Sequence, residues 1–264
     1  GCGVFDNANT VYTQGANIVP TGSISSCINI TASNVTYDCA GKWISNATLD
    51  VPGIYASNVV NVTVRNCNVT MKDTVPGGGI QFVYINNSFI INNTVNLNNR
   101  GIHLNSSSNN QIINNTANSN TYTGIYLYSD SNNNILTGNT ANSNAVPGLP
   151  TGFGIYLLTS SNNILTNNTA NSNDGSGIGL SSGSNNNLTG NTANSNGNGG
   201  ILLSSSSNNI LTNNTANSED IGISLSSSSN NILTKNNIWD SNSPVGFESS
   251  ILLSASQNNT FSGG

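Results

Sequence analysis

Read for its apolar positions, the chain spells one short word repeatedly. Gly-Ile-x-Leu starts at Gly101, Gly124, Gly154, Gly177, Gly200 and Gly222, with a degenerate copy at Ser250 and poorer ones at Gly53 and Gly79. A second apolar word follows each first, centred on Ile112, Leu136, Leu165, Leu188, Leu211 and Leu233, with Phe261 last. Successive strand residues face opposite ways, so the Ile and Leu of the first word make two inward columns and the second word adds a third. Runs this short, bounded by Gly, Asn and Ser, predict strands. The words recur every 22 or 23 residues, except for two longer steps that carry the insert Ala145 to Phe153 and a swelling around Trp239 to Glu248.

That period suits one turn of a parallel β-solenoid of about nine to ten coils. Paired-helix repeats need longer units and better helix formers than Asn, Ser, Thr and Gly, and leucine-rich repeats need denser leucine. Residues 23–264 read as one solenoid domain. The VFD and VYT words of residues 1–22 do not fit the repeat and are expected to cap the first coil or to pair with another subunit. Stacked coils lay like residues over like. Inward Asn side chains are expected at Asn115, Asn139, Asn168, Asn191, Asn214 and Asn237, and small corner residues at Ala117, Ala141, Ala170, Ala193 and Ala216. A column of amides hydrogen-bonds along its own stack, and Asn tolerates the left-handed backbone that tight turns need. The low complexity of segments such as SSSSNNILTNNTANS therefore records positional identity imposed by stacking.

The words GIxLxxSSNNxLxxNxAxxN, with the opening segment CINITASNVTYDCAG at Cys27 to Gly41, resemble the repeats of the NosD-type family within the pectate-lyase-like superfamily. The resemblance covers roughly residues 23–261. It implies an all-β, right-handed parallel β-helix. It implies no single activity, since the family embraces sugar-processing enzymes, periplasmic accessory proteins and structural chains.

Charge narrows the partners. Only 6% of residues are charged, the net charge is -5, and five basic residues form no cationic stripe, so nucleic acid is excluded as a partner. No apolar run is long enough to span a membrane. The four cysteines admit three pairings. Superposing NVTYDC on NVTVRNC puts Cys39 beside Asn66 and close to Cys67 on adjoining coils, and Cys39 with Cys67 and Cys2 with Cys27 is the preferred set over free thiols or a metal site. Thirteen Asn-x-Ser/Thr sequons begin at Asn29, Asn34, Asn46, Asn61, Asn68, Asn86, Asn92, Asn105, Asn114, Asn167, Asn187, Asn213 and Asn258. With the cysteines they predict an extracellular or cell-surface protein carrying N-linked glycans, with Asn114, Asn167 and Asn213 facing outward in one repeated phase.

Candidate chemistry is sparse. Asp50, Asp174, Glu219 and Asp220 share a loop phase on separate coils, and the one histidine, His103, is expected outward and solvated beside Arg100. No catalytic residue, cofactor or metal site is assigned, and the chain is expected not to be an enzyme. Tyr122, Tyr126, Tyr128 and Tyr156 stack on the outward strand position, where they either receive sugar rings or a protein or only cover the sheet. Ile135, Ile164, Ile210 and Ile232 form a second outward line. The last words stop partway through a coil, so an open edge is expected to recruit another copy end to end. The function expected is a structural, glycosylated subunit of a filament or surface layer that self-associates. The alternative is a carbohydrate-binding or carbohydrate-active β-helix, or a fragment of a larger adhesin.

Overall fold

A computed structural model describes residues 1–72, 78–149, 151–217, 221–238 and 251–263. Among them every regular element is a strand, and the expected all-β parallel solenoid is what the chain forms. The Gly-Ile-x-Leu words are rungs of an eleven-stranded parallel sheet, and the second words are rungs of another. Register keeps like on like: Ile102, Ile125, Ile155, Ile178, Ile201 and Ile223 pair in succession in the first sheet. In the second, Ile112, Leu136, Leu165, Leu188, Leu211 and Leu233 do the same. Gly3–Phe5 pairs with Ile28–Ile30, and Val11–Thr13 with Thr36–Asp38, so the first residues add a rung to both sheets of their own chain. The swelling from Trp239 to Glu248 lies outside the described residues.

A third sheet covers only the first coils, with strands Trp43–Asn46, Asn68–Met71 and Thr94–Val95. Beyond it the same face continues as single bridges through Thr116, Thr140, Thr169, Thr192 and Thr215. The reason is core width. On this face Ile44, Val69 and Val95 give way to Ala117, Ala141, Ala170, Ala193 and Ala216, all buried. Opposite each alanine stands the glycine of a Gly-Ile-x-Leu word. A Cβ on Gly124 would lie 2.8 Å from Ala141 Cβ and 2.7 Å from Gly154 O, so backbone approaches backbone and only glycine fits.

Amides seal the corners. Asn93, Asn115, Asn139, Asn168, Asn191, Asn214 and Asn236 form a ladder in which each backbone N–H and each Nδ2 donates to the Oδ1 on the next rung, at 2.9–3.0 Å. The second Nδ2 hydrogen goes to a core carbonyl; that of Asn168 reaches Leu136 O at 2.9 Å. Asn236, not Asn237, is the last member, because it stands three residues after Leu233 as Asn214 stands after Leu211, while Asn237 continues the threonine column. Two further ladders were not read from the sequence. One runs through Asn98, Asn120, Asn144, Asn173 and Asn196, the other through Asn110, Asn134, Asn163, Asn186, Asn209, Asn231 and Asn259. The disulfides join Cys2 to Cys27 and Cys39 to Cys67. Cys67 donates its backbone N–H to Asn93 Oδ1, so the second bridge is a covalent rung in the column that the first ladder continues.

Candidate functional site

The densest side-chain chemistry lies on the outer face of the first sheet. Outward positions of successive rungs bring His103, Tyr126, Tyr156 and Gly179 into register. Tyr128, two residues after Tyr126, shares its face by strand alternation. Rungs in a parallel sheet stand about 4.8 Å apart, close enough for rings to stack. His103 stacks on Tyr126 with centroids 5.2 Å apart, Tyr126 on Tyr156 at 5.6 Å and on Tyr128 at 5.7 Å, and Phe153 on Tyr156 at 4.3 Å. Tyr122 meets Tyr126 edge-on. Arg100 lays its guanidinium carbon 4.7 Å from the Tyr126 ring centroid and 5.1 Å from that of Tyr122, a cation over two aromatic faces. Gly179 ends the row: a Cβ there would lie 2.8 Å from Phe153 and 3.0 Å from Tyr156, so those two rings spread over it.

Burial differs sharply within the row. Tyr128 is 39% exposed, Tyr122, Phe153 and Tyr156 are half-buried, and Tyr126 is buried. His103, expected to be solvated, is only 4% exposed. Its position is outward, but neighbouring rungs, Tyr126 and Arg100 close over it, because on a stacked sheet an outward side chain is roofed by the rungs on either side. Neither ring nitrogen has a hydrogen-bond partner. Burial and the adjacent Arg100 push the His103 pKa down to about 3, so the imidazole is neutral. Burial raises the Tyr126 and Tyr156 phenols, which stay protonated donors.

The row therefore joins the four tyrosines read from the sequence and adds Phe153, Arg100 and Gly179. Phe153 escaped because it sits in the insert, yet it pairs in register with Thr123 and belongs to the strand. The acidic residues do not converge: Asp174 is exposed and Asp50 half-buried on distant coils, while Glu219 and Asp220 lie outside the described residues. Among the described residues no three His, Cys, Asp or Glu side chains come together as metal ligands. The arrangement offers apolar ring surface, phenol hydroxyls and one cation, which is equipment for holding a ligand with both C–H faces and polar edges.

The sequence matches the family described as "Right handed beta helix region" over residues 7–149 and 150–263. The chain belongs to that family. No curated protein matches it. Among solved structures, it is similar to the A-module of the Azotobacter vinelandii mannuronan C-5 epimerase AlgE4, with 14% identity and a TM-score of 0.74 over 100% of this chain and 82% of that one. It is also similar to DFA-IIIase from Arthrobacter chlorophenolicus A6 without its lid, at 13% identity and TM-score 0.65, covering 90% of this chain and 66% of that one. A third is the periplasmic alginate epimerase AlgG, at 17% identity and TM-score 0.53, covering 95% and 61%. At these identities the likeness is one of fold. It nonetheless corrects the expectation of a non-enzymatic chain: these three solved structures of the same fold are carbohydrate-active enzymes, so sparse carboxylates on a β-helix are no ground for denying activity.

Proposed function

We propose that the protein recognises carbohydrate, and that an extended saccharide lies along the outer face of the first sheet, against the aromatic row. One observation carries the reading: five Tyr and Phe rings, the His103 imidazole and a guanidinium gather within three rungs of a chain that holds only 6% aromatic residues. Sugar C–H faces pack on aromatic rings, while Arg100 and the protonated phenols supply donors. The carbohydrate-active enzymes of the same fold support a saccharide rather than a protein as the ligand. Two disulfides support a secreted or extracellular setting.

Affinity electrophoresis through gels containing neutral or acidic polysaccharides tests the reading. Tyr128→Ala and Phe153→Ala should each weaken retention about two- to tenfold, matching about 0.5–1.5 kcal/mol per ring. Retention unchanged by both replacements, or absent from every gel, sinks it. Product analysis of the same saccharides distinguishes binding from turnover.

A further inference from the structure

The sequons are a motif that carbohydrate recognition leaves unused, and the structure sorts them. N-glycosylation joins a sugar to Nδ2, so an acceptor needs an exposed amide that its own fold does not employ. Asn34, Asn46, Asn61 and Asn68 fail on the second count. Their Nδ2 atoms donate to Asn9 Oδ1, Pro20 O, Asn34 Oδ1 and Gly41 O at 2.6–3.1 Å, aimed at the neighbouring rung where a sugar ring has no room. Asn29, Asn86, Asn105 and Asn187 fail on the first, being only half-exposed. The Oδ1 of Asn29 is buried. Those of Asn86, Asn105 and Asn187 accept from Ser108 N, Ser106 Oγ and Thr189 Oγ1.

Five sequons pass both tests: Asn92, Asn114, Asn167, Asn213 and Asn258 are exposed, with amides outside the ladders. All five hold the left-handed backbone, with φ between 53° and 54°, which turns the side chain away from the sheet at a tight corner. Four of them stand in one turn column, each immediately before an inward ladder Asn. Between Asn114, Asn167 and Asn213 that column holds Gly138 and Gly190, themselves left-handed at φ 64° and 65°. A Cβ on either glycine would collide with Oδ1 of Asn114 or Asn167, so each Asn side chain leans over the glycine of the next rung. From Asn114 to Asn213 the sequons therefore recur on every second rung, about 10 Å apart, with a bare glycine between, while Asn92 stands on the rung next to Asn114. That spacing separates the glycans of Asn114, Asn167 and Asn213 by two rungs each.

We infer that Asn92, Asn114, Asn167, Asn213 and Asn258 are the N-glycan acceptors, and that the other eight sequons stay bare in the folded protein. Four of the glycans then project from one edge of the coil, at the turn after the second sheet, and that of Asn258 from the turn before it on the last described rung, so none stands on the aromatic rungs of the first sheet.

The test is secretion of the whole chain from an N-glycosylating host, followed by peptide N-glycosidase in heavy-oxygen water. Each occupied Asn becomes a labelled Asp that peptide mass spectrometry reads. Label is expected at the five acceptors and nowhere else. Replacing Thr94, Thr116, Thr169, Thr215 and Thr260 by Val removes the sequons without touching any Asn, and should abolish every glycan mass step while leaving circular dichroism unchanged. Label at Asn34, Asn46, Asn61 or Asn68 in the folded product, or no label in the turn column, overturns the inference.

Discussion

The first coils and the later ones solve the same stacking problem with different chemistry. From Ile28 to Ile54 and from Ile54 to Ile80 a turn takes 26 residues, whereas Ile80 to Ile102 takes 22 and Ile102 to Ile125 takes 23. The wide early turns carry the first two strands of the third sheet and bury Ile44, Val69 and Met71 on that face, and the first 22-residue turn still places Val95 there. The narrow later turns bury alanine there, and each CH2-sized group lost forgoes about 0.8 kcal/mol. Ladders of Asn take up the corners of the narrow coil, and a disulfide holds the matching corner of the wide one. A thin solenoid cannot rest on apolar burial alone. Its corners must be satisfied by groups that repeat at the rung spacing, and either a covalent bridge or an amide column meets that condition.

The sharpest way to break this comparison is to remove one amide from the middle of a ladder. Asn168 accepts from the backbone N–H and Nδ2 of Asn139 and donates to Leu136 O and Asn191 Oδ1. In Asn168→Ala the Asn139 donors and the Leu136 acceptor lose their partners inside a sealed corner. At about 1–3 kcal/mol for each orphaned group, the loss should be roughly 3–5 kcal/mol by urea unfolding. Asn236→Ala, at the half-exposed last member, should cost clearly less. Equal losses at the two positions would show that the ladder is not cooperative.

Next in size is the bridge. Replacing Cys39 and Cys67 together by Ala should cost about 2–4 kcal/mol. Replacing both by Asn tests whether the two chemistries are interchangeable: the Asn pair should unfold at higher urea than the Ala pair, because Cys67 already stands beneath Asn93 in the ladder column. An Asn pair no better than Ala would mean that the early corner is too wide for amides.

Much of this was legible in the residues. Period 2 within words and a period of 22 or 23 between them fix strand direction, register and the three apolar columns, because a side chain that repeats at rung spacing can only meet its own copies. Two of the three Asn ladders were not, since Asn120 and Asn134 sit in runs such as NSN and NNN where spacing does not say which amide turns inward. The backbone does say. Asn133 is left-handed at φ 57° and exposed, whereas Asn134, one residue later, is fully buried. The candidate site was half legible: tyrosine columns follow from alternation, but the burial of His103 depends on how Arg100 and Tyr126 fold over it. Strand parity gives the face and not the roof.

His103 supplies a pH test confined to one group, as it is the chain's one histidine. Its pKa is about 3 in the folded protein against 6.5 for an ordinary histidine, so between those values the unfolded chain binds a proton that the folded one refuses. Stability is complete above about pH 6.5, falls as the pH drops, and the loss is finished near pH 3. The slope within the window is at most about 1.4 kcal/mol per pH unit. Asp38, whose pKa is lowered by hydrogen bonds from Ala40, Asn66 and Arg65 that overcome its burial, adds a loss of the same sign only below about pH 3.8. Urea midpoints at pH 7 and pH 5 should therefore differ for the native chain and coincide in His103→Phe, which keeps a ring stacked on Tyr126. A difference that survives in the variant assigns the proton elsewhere.

The smallest effect expected is also informative, because it separates the outside of the coil from its inside. Ile164 stands in the outward column of the second sheet, 42% exposed, between Ile135 and Asn187. A position that one rung later holds Asn is not core, and its isoleucines serve the backbone preference of a strand more than any packing. Ile164→Thr keeps a β-branched side chain and should shift stability by no more than about 0.5 kcal/mol, the usual range for a surface exchange. Its inward neighbour sets the contrast: Leu165 is fully buried, and Leu165→Ala should cost roughly 2–5 kcal/mol. If Ile164→Thr instead cost as much as a buried residue, or changed the sedimentation coefficient, the isoleucine line would be a lateral contact between coils of different molecules. The narrow solenoid would then have an outer apolar seam as well as its inner columns.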